Sequence, residues 1–235
     1  MRTLRIIRDY ALLAMLPLRY VWFSTLVVAL VPAVLFVFFG IGGSDRAPQF
    51  SAAYAMFIAI NSAMGQAAYA TAGDRLPTFE NWTTNLPVPT SLRLTGRSIG
   101  GYIILLVSLL PLISVVAVTA SSSMPAILSA LAATLLTAGI FSAIGIIVGM
   151  LFNREVISSV ITVIFFVLVA CGGIFTAGDR PAWVPAPLFE AMPTVVIFDL
   201  VYKPGIEALI RYLLWIGALV LIIAWLNRRQ AIREY

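Results

Sequence analysis

The chain has 235 residues, of which 61% are hydrophobic and 11% are charged. Soluble domains have about 45–50% apolar and about 25% charged residues, so this composition excludes a water-soluble globule and predicts an all-α membrane protein. The net charge is +5, there is no His, and the single Cys, Cys171, lies in an apolar run, which excludes a His/Cys metal site and an internal disulfide framework.

The N-terminal segment, Met1 to Leu18, combines basic and apolar residues with a helical period. Arg2, Arg5 and Arg8 recur three residues apart, and mostly apolar residues fill the other side. This pattern is typical of an amphipathic helix that lies in the membrane interface and is attracted by anionic lipid. We therefore predict an interfacial helix over residues 1–18.

Six later stretches are apolar enough to cross a bilayer as helices. The predicted transmembrane spans are 20–40, 50–72, 98–120, 125–152, 156–176 and 208–226. The second span contains Asn61 and Gln66, and polar side chains at that depth face protein or a cavity rather than lipid. Either hydrogen bonds between helices or contact with a transported molecule would explain these two residues.

The fourth span ends in two glycines four residues apart, Gly145 and Gly149. Such a GxxxG pair allows two helices to approach closely. Close packing is the first interpretation, and a hinge in a transport pathway is the second.

The polar loop 73–97 carries apolar residues at helical spacing: Leu76, Phe79, Trp82 and Leu86. We predict a short amphipathic helix here, ended by two prolines. From these residues alone, the simplest interpretation is an interfacial helix whose aromatic side chains lie among lipid headgroups.

The segment 177–207 contains five prolines and apolar pieces that are too short to span a membrane. Non-helical backbone at membrane depth is tolerated only where protein or water covers it. We therefore predict short re-entrant or interfacial helices between the fifth and sixth spans. An ordinary extracellular loop with interfacial aromatic residues is the alternative.

The distribution of Lys and Arg predicts the orientation, because cytoplasmic loops carry the excess of these residues. The N-terminal segment, the 73–97 loop, the 153–155 turn and the C-terminal tail contain eleven, whereas the opposite side contains four when Arg211 is counted there. Both termini are therefore predicted in the cytoplasm, and the segment 177–207 is predicted outside.

The sequence lacks the residues of several kinds of catalytic site. The only Lys, Lys203, follows a Tyr, so there is no Gly-Lys-Ser/Thr phosphate loop. No span contains a nucleophile with a base, a carboxylate pair or a metal-ligand set. The interiors of the predicted spans are also expected to lack the ionisable residues that ion-coupled carriers use. We predict no catalytic residue, no metal site and no cofactor in this chain, and no nucleic acid partner.

Four strings follow one another along the chain: Gly-Asp-Arg-Leu-Pro-Thr-Phe-Glu-Asn-Trp at 73–82, Gly-Ile-Ile-Val-Gly-Met-Leu-Phe-Asn at 145–153, Cys-Gly-Gly-Ile-Phe at 171–175 and Pro-Ala-Trp-Val-Pro at 181–185. Together with six predicted spans, these strings resemble the ABC-2 type permeases, the six-span membrane subunits of ABC exporters. The chain departs from that family's pattern at Pro77, where a Gly is usual, and at Cys171, where a small hydroxyl residue is usual.

The resemblance implies a permease subunit that moves an amphipathic or hydrophobic cargo, such as a drug, peptide or lipid, out of the cell. It implies a bacterial cytoplasmic membrane, a second permease subunit, identical or related, and a separate ABC ATPase subunit that binds ATP and Mg. The 73–90 loop resembles the coupling helix that contacts this ATPase. The implied coupling residues are Leu76, Phe79, Glu80, Trp82 and Leu86, and the pathway candidates are Asn61, Gln66, Phe175 and Trp183.

Two functions of other classes stay open from the sequence. One is a membrane-embedded immunity or regulatory protein that binds a partner and transports nothing. The other is a secondary carrier, which the scarcity of ionisable residues in the spans disfavours.

Overall fold

A computed structural model describes residues 2–15, 29–39, 41–73, 90–120 and 123–233 of the chain. Within these ranges the regular elements are helices, and none of the described residues lies in a strand. The prediction of an all-α protein is therefore confirmed.

The helices are α1 (Arg2–Met15), α2 (Ala29–Phe38), α3 (Ala47–Gly73), α4 (Thr90–Thr119), α5 (Ser123–Leu151), α6 (Arg154–Cys171), α7 (Ala186–Ala191), α8 (Pro193–Tyr202) and α9 (Ile206–Arg233). A short 3-10 helix, Ile41–Gly43, lies between α2 and α3.

Four stretches within these helices are long and apolar enough to cross a membrane: Ile99–Thr119, Ser123–Leu151, Arg154–Cys171 and Ile206–Arg229. By length and composition they indicate a membrane protein. Helix α3 is also long, with 27 residues, but it is less apolar than these four.

Helix α3 occupies the centre of the bundle. It packs most extensively against α5 and also contacts α4 and α6. Its largest fully buried side chains are those of Met56, Ile58, Ile60 and Met64. A helix covered by protein can carry polar residues that would be costly against lipid, and this explains why α3 is less apolar than its neighbours.

Two glycines of α5 set the distance between α5 and α3. A Cβ atom on Gly145 would lie 2.9 Å from the Cβ of Ala67, and one on Gly149 would lie 2.8 Å from the Cβ of Thr71. Real Cβ atoms do not approach so closely, so this packing requires glycine at both positions. The structure thus agrees with the packing interpretation of the GxxxG pair.

Helix α1 is amphipathic and packs along α4. Tyr10 and Ala11 are buried, whereas Arg5 and Arg8 are exposed. It corresponds to residues 2–15 of the predicted 1–18 helix, and its position in a membrane interface stays a prediction.

The fifth predicted span, 156–176, is longer than the helix that forms there. Helix α6 ends at Cys171, where the N–H of Gly172 donates to the carbonyl of Leu168 (2.8 Å). Gly173 has a φ of 72°, in the left-handed region that favours glycine. Residues 172–176 therefore belong to a turn and not to the helix.

The segment 177–207 contains two short helices. Helix α7 has six residues and α8 has ten, so at about 1.5 Å per residue neither can cross a bilayer. Both have a proline in the first turn, Pro187 and Pro193, where a helix needs no backbone N–H.

Helix α9 begins at Ile206 and includes Arg211. Arg211 therefore lies in the second turn of α9, near the end of the helix that the charge count assigns to the outer side. Arg211 is an ionisable residue within the predicted 208–226 span, and its charge is met by carboxylates near the same end of the helix.

Two predicted elements fall on residues that the structure does not fully describe. Of the first predicted span, 20–40, the described part is 29–39, mostly helix α2. The predicted amphipathic helix of the 73–97 loop lies on residues 74–89, outside the described residues.

The contact between α3 and α5 yields a stability prediction. Gly145→Ala should destabilise the bundle by about 1–3 kcal/mol, because the added methyl overpacks the interface. The measurement is the unfolding free energy of the detergent-solubilised protein. Gly217→Ala is the matched control, since a Cβ at Gly217 on α9 meets nothing within 4 Å. Equal stability of the two variants would contradict the packing described here.

Candidate functional site

One end of the bundle gathers segments that are distant in sequence. Arg46, before α3, donates to the carboxylate of Asp179 (2.8 Å), after α6. The Ser51 hydroxyl donates to the carbonyl of Ala126 (2.7 Å), near the start of α5. Because α7 and α8 belong to the same region, we call this the α7–α8 end.

The α7–α8 end begins with a tight turn directly after α6. Gly173, Ala177 and Gly178 all have positive φ, at 72°, 50° and 92°. The hydroxyl of Thr176 bonds to the carbonyl of Asp179 and helps to close the turn. After this turn the chain reverses direction, and α8 packs against α5 and α9.

A small apolar cluster lies beneath the turn. Its buried members are Val184, Phe189 and Val195, and Cys171 and Met192 pack against it. Cys171 is half-buried, and the cluster gives it a packing role. The cluster holds α7, the start of α8 and the end of α6 together.

A charged cleft of about 490 Å³ opens at the α7–α8 end. We call it the charged cleft, and it is lined by Gly178, Arg180, Ala186, Phe189, Glu190, Val195, Asp199, Lys203, Glu207 and Arg211. Three of these residues are cations and three are anions, so the lining as a whole is neutral.

Arg211 is the most strongly paired charge of the charged cleft. Its guanidinium lies 3.1 Å from the carboxylate of Asp199 and 3.7 Å from that of Glu207. The sequence analysis missed the Asp199–Arg211 pair, because the two residues belong to different helices. The sequence does show that Asp199 and Arg211 each lie among apolar residues. Two opposite charges in such surroundings could have suggested that they pair.

The other charges of the charged cleft are more open. Lys203 and Glu190 are exposed, and no ion pair joins either to another described residue. Arg180 donates to the carbonyl of Val184 (2.9 Å), which fixes its position without neutralising it. The charged cleft therefore presents cations and an anion that are available to a ligand.

Two of the four pathway candidates lie on the central helix α3. Asn61 and Gln66 are both half-buried. The Gln66 Oε1 atom lies beside Gly101 of α4, 2.9 Å from where a Cβ on that glycine would be. Asn61 is one turn from Phe57, whose ring meets that of Phe165 on α6 at 4.8 Å. Gln66 therefore lies at a helix–helix contact, Asn61 lies one turn from such a contact, and both are partly open.

The other two candidates, Phe175 and Trp183, lie at the α7–α8 end and are 58% and 66% exposed. Asn61 is fourteen residues along α3 from Ala47, a rise of about 20 Å. The structure therefore does not bring the four candidates together into one site. Phe175 and Trp183 lie at the α7–α8 end, whereas Asn61 and Gln66 lie further along α3.

The implied coupling residues, from Leu76 to Leu86, lie outside the described residues. Across the described part of the chain, no group of three or more His, Cys, Asp or Glu side chains could hold a metal ion. The described geometry thus offers polar contacts and charge pairs rather than a metal centre.

Comparisons of this chain with family models, with curated proteins and with solved structures found no match.

The hydroxyl of Tyr202 ties α8 to the start of α3 by donating to the carbonyl of Pro48 (2.6 Å). Burial raises the pKa of the Tyr202 phenol to about 12, against a smaller lowering by a hydrogen bond with Ser129. The phenol therefore stays protonated when folded at pH values where an unfolded tyrosine, with a pKa near 10, has ionised.

Tyr202→Phe should lower the unfolding free energy at neutral pH by about 1 kcal/mol, because it removes this hydrogen bond. In the wild type the contribution from the raised pKa is present below about pH 10 and is lost as the pH rises towards 12. The measurement is unfolding free energy against pH in detergent. An equally steep alkaline loss in both proteins would contradict the assignment to Tyr202.

Proposed function

We propose that this chain is the membrane subunit of an ATP-driven exporter of the ABC-2 type. The observation that carries the proposal is the arrangement at the α7–α8 end. Two helices too short to span a membrane fold back between the long apolar helices α6 and α9. They lie where the resemblance of the sequence implies an outer cap over a transport pathway.

The six-span topology is part of this proposal. Contacts at the α7–α8 end join the residues before α3, the start of α5 and the residues after α6, and the charge count assigns all three to the outside. In α9, the residues between Arg211 and Arg228 carry no charge, and this stretch of about 25 Å of helix approaches the thickness of the hydrocarbon core. Arg229 lies over the Trp225 ring at 4.1 Å, an arrangement suited to the opposite interface.

The distribution of charge favours ATP over an ion gradient as the energy source. In the four apolar stretches described, Asp, Glu, Lys and Arg occur only near the ends. Arg211 is the deepest, and it is already paired with Asp199. An ion-coupled carrier needs a titratable group that the ion or proton can reach. Since the sequence has no phosphate loop, a separate ABC ATPase would bind ATP and Mg and hydrolyse the nucleotide.

The cargo would be amphipathic or hydrophobic. The described helices offer uncharged polar side chains on α3, such as Asn61 and Gln66, within otherwise apolar surroundings. Two permease subunits, identical or related, would enclose the pathway, with Phe175 and Trp183 at its outer end. Both chain termini would lie in the bacterial cytoplasm.

The topology can be tested by labelling single cysteines in a Cys171→Ala background. Cysteines replacing Ser44 and Trp183, which is exposed at the α7–α8 end, should react with an impermeant thiol reagent in intact cells, and a cysteine replacing Ser91 should react only after lysis. The physical reason is the excess of Lys and Arg on the cytoplasmic side. Labelling of the residue 91 variant before lysis would contradict six spans with this orientation.

The coupling function is tested by co-purification of the ATPase subunit. Phe79→Ala and Trp82→Ala should each lower the affinity for the ATPase roughly thirtyfold, the effect of losing an interface anchor worth about 2 kcal/mol. Glu80→Lys should weaken the complex as well, because it reverses a charge in the contact.

Trp183→Ala, at the α7–α8 end, is the control and should retain the ATPase. If Phe79 and Trp82 only anchor the loop among lipid headgroups, their loss leaves the bound ATPase unchanged and Glu80→Lys strengthens membrane contact. Wild-type amounts of ATPase with all three loop variants would therefore refute the coupling role.

A further inference from the structure

The charged cleft is lined by charges of both signs, which come from residues 180–211. Its cations are Arg180, Lys203 and Arg211, and its anions are Glu190, Asp199 and Glu207. Arg211 is engaged by Asp199 and Glu207 within the protein. The charges left open to a ligand are thus cations from Arg180 and Lys203 and an anion from Glu190.

Apolar side chains are exposed on several sides of α9, and one stripe of them runs along the helix from the charged cleft. Ile210, Leu214 and Leu221 are 49%, 66% and 72% exposed, and their spacing puts them on the helix face that begins at Glu207. Gly217 leaves a notch in the stripe, because a Cβ there would meet no atom within 4 Å. We call this the α9 stripe.

The charged cleft and the α9 stripe together match an amphipathic molecule with a bipolar head. The head needs an anion for Arg180 and Lys203 and a hydrogen-bond donating cation for Glu190. The tail needs to be apolar and long enough to follow α9. Because α9 is one of the helices suited to cross a membrane, the tail would lie along it in the hydrocarbon core.

We propose that the charged cleft binds the headgroup of a zwitterionic phospholipid with a phosphate and a primary ammonium, and that one of its acyl chains lies along the α9 stripe. Arg180 and Lys203 donate to the phosphate oxygens. Glu190 accepts a hydrogen bond from the ammonium. This inference concerns a lipid site on the chain itself and does not rest on the exporter function.

The charge balance distinguishes this ligand from related lipids. An anionic lipid without an amine gains the contacts to Arg180 and Lys203 but leaves Glu190 unpaired beside a negative phosphate. A quaternary ammonium has no N–H to donate to Glu190. The lining therefore favours a primary amine headgroup over phosphatidylglycerol and over phosphatidylcholine.

Native mass spectrometry of the full chain, purified in detergent, measures the binding. The probes are dioleoyl phosphatidylethanolamine, dioleoyl phosphatidylglycerol, dioleoyl phosphatidylcholine and the soluble headgroup glycerophosphoethanolamine. We expect one tight site for phosphatidylethanolamine, with roughly tenfold lower affinity for the other two lipids, as for the loss of one charge-assisted hydrogen bond. The soluble headgroup should bind more weakly still, because it has no acyl chain.

Variants locate the site. Glu190→Gln should abolish the preference for phosphatidylethanolamine over phosphatidylcholine, and Lys203→Gln should lower the affinity for all three lipids. Gly217→Phe should fill the notch in the α9 stripe and weaken lipid binding while leaving the soluble headgroup unaffected. Arg154→Gln and Glu155→Gln, which make the same charge changes at the start of α6, are controls and should bind as the wild type does.

Three outcomes would overturn the inference: equal affinity for the three lipids, an unchanged lipid preference in Glu190→Gln, or equal binding of lipid and soluble headgroup. The last result would identify a site for a free phosphoamine instead of a lipid. Circular dichroism and the elution volume of each variant check that it is folded, and Gly217→Phe probes the site without changing any charge.

Discussion

The close approach of α3 and α5 is the contact on which the rest of the bundle depends. Gly145 and Gly149 let the two backbones come within a distance that a methyl group would prevent. Because α3 is then covered by α5, α4 and α6, it can carry Asn61 and Gln66 in the interior without exposing them fully to lipid. The more apolar helices around α3 have the surface suited to lipid contact. The polar side chains and the lipid-facing surface therefore belong to different helices.

The α7–α8 end is held by a different set of forces. An ion pair of Arg46 and hydrogen bonds from Ser51 and Tyr202 join segments that are far apart in the sequence. Positive φ at Gly173 and Gly178 lets the chain reverse after α6. This end therefore combines the charged side chains of the charged cleft with exposed aromatic side chains, those of Phe175 and Trp183.

The candidate site was only partly predictable. Asn61 and Gln66 could be selected from the sequence because polar residues are conspicuous in an apolar helix. The ion pair of Asp199 and Arg211 could not, because it joins α8 to α9 across a break whose geometry no local pattern reveals. Arg211 lies in the second turn of α9 rather than beyond its end. A carboxylate on a neighbouring helix lets that charge lie within α9.

The sequence by itself determined the helical class, the membrane character and the approximate position of the long helices, because these follow from the length and period of apolar runs. It also indicated that Gly145 and Gly149 pack closely. The tertiary structure alone decided that α3 is central, that α6 stops at Cys171, and that charges from 180 to 211 line one cleft. These features depend on which surfaces meet after folding, and hydrophobic periodicity specifies how much of a helix is apolar but not which partner covers it.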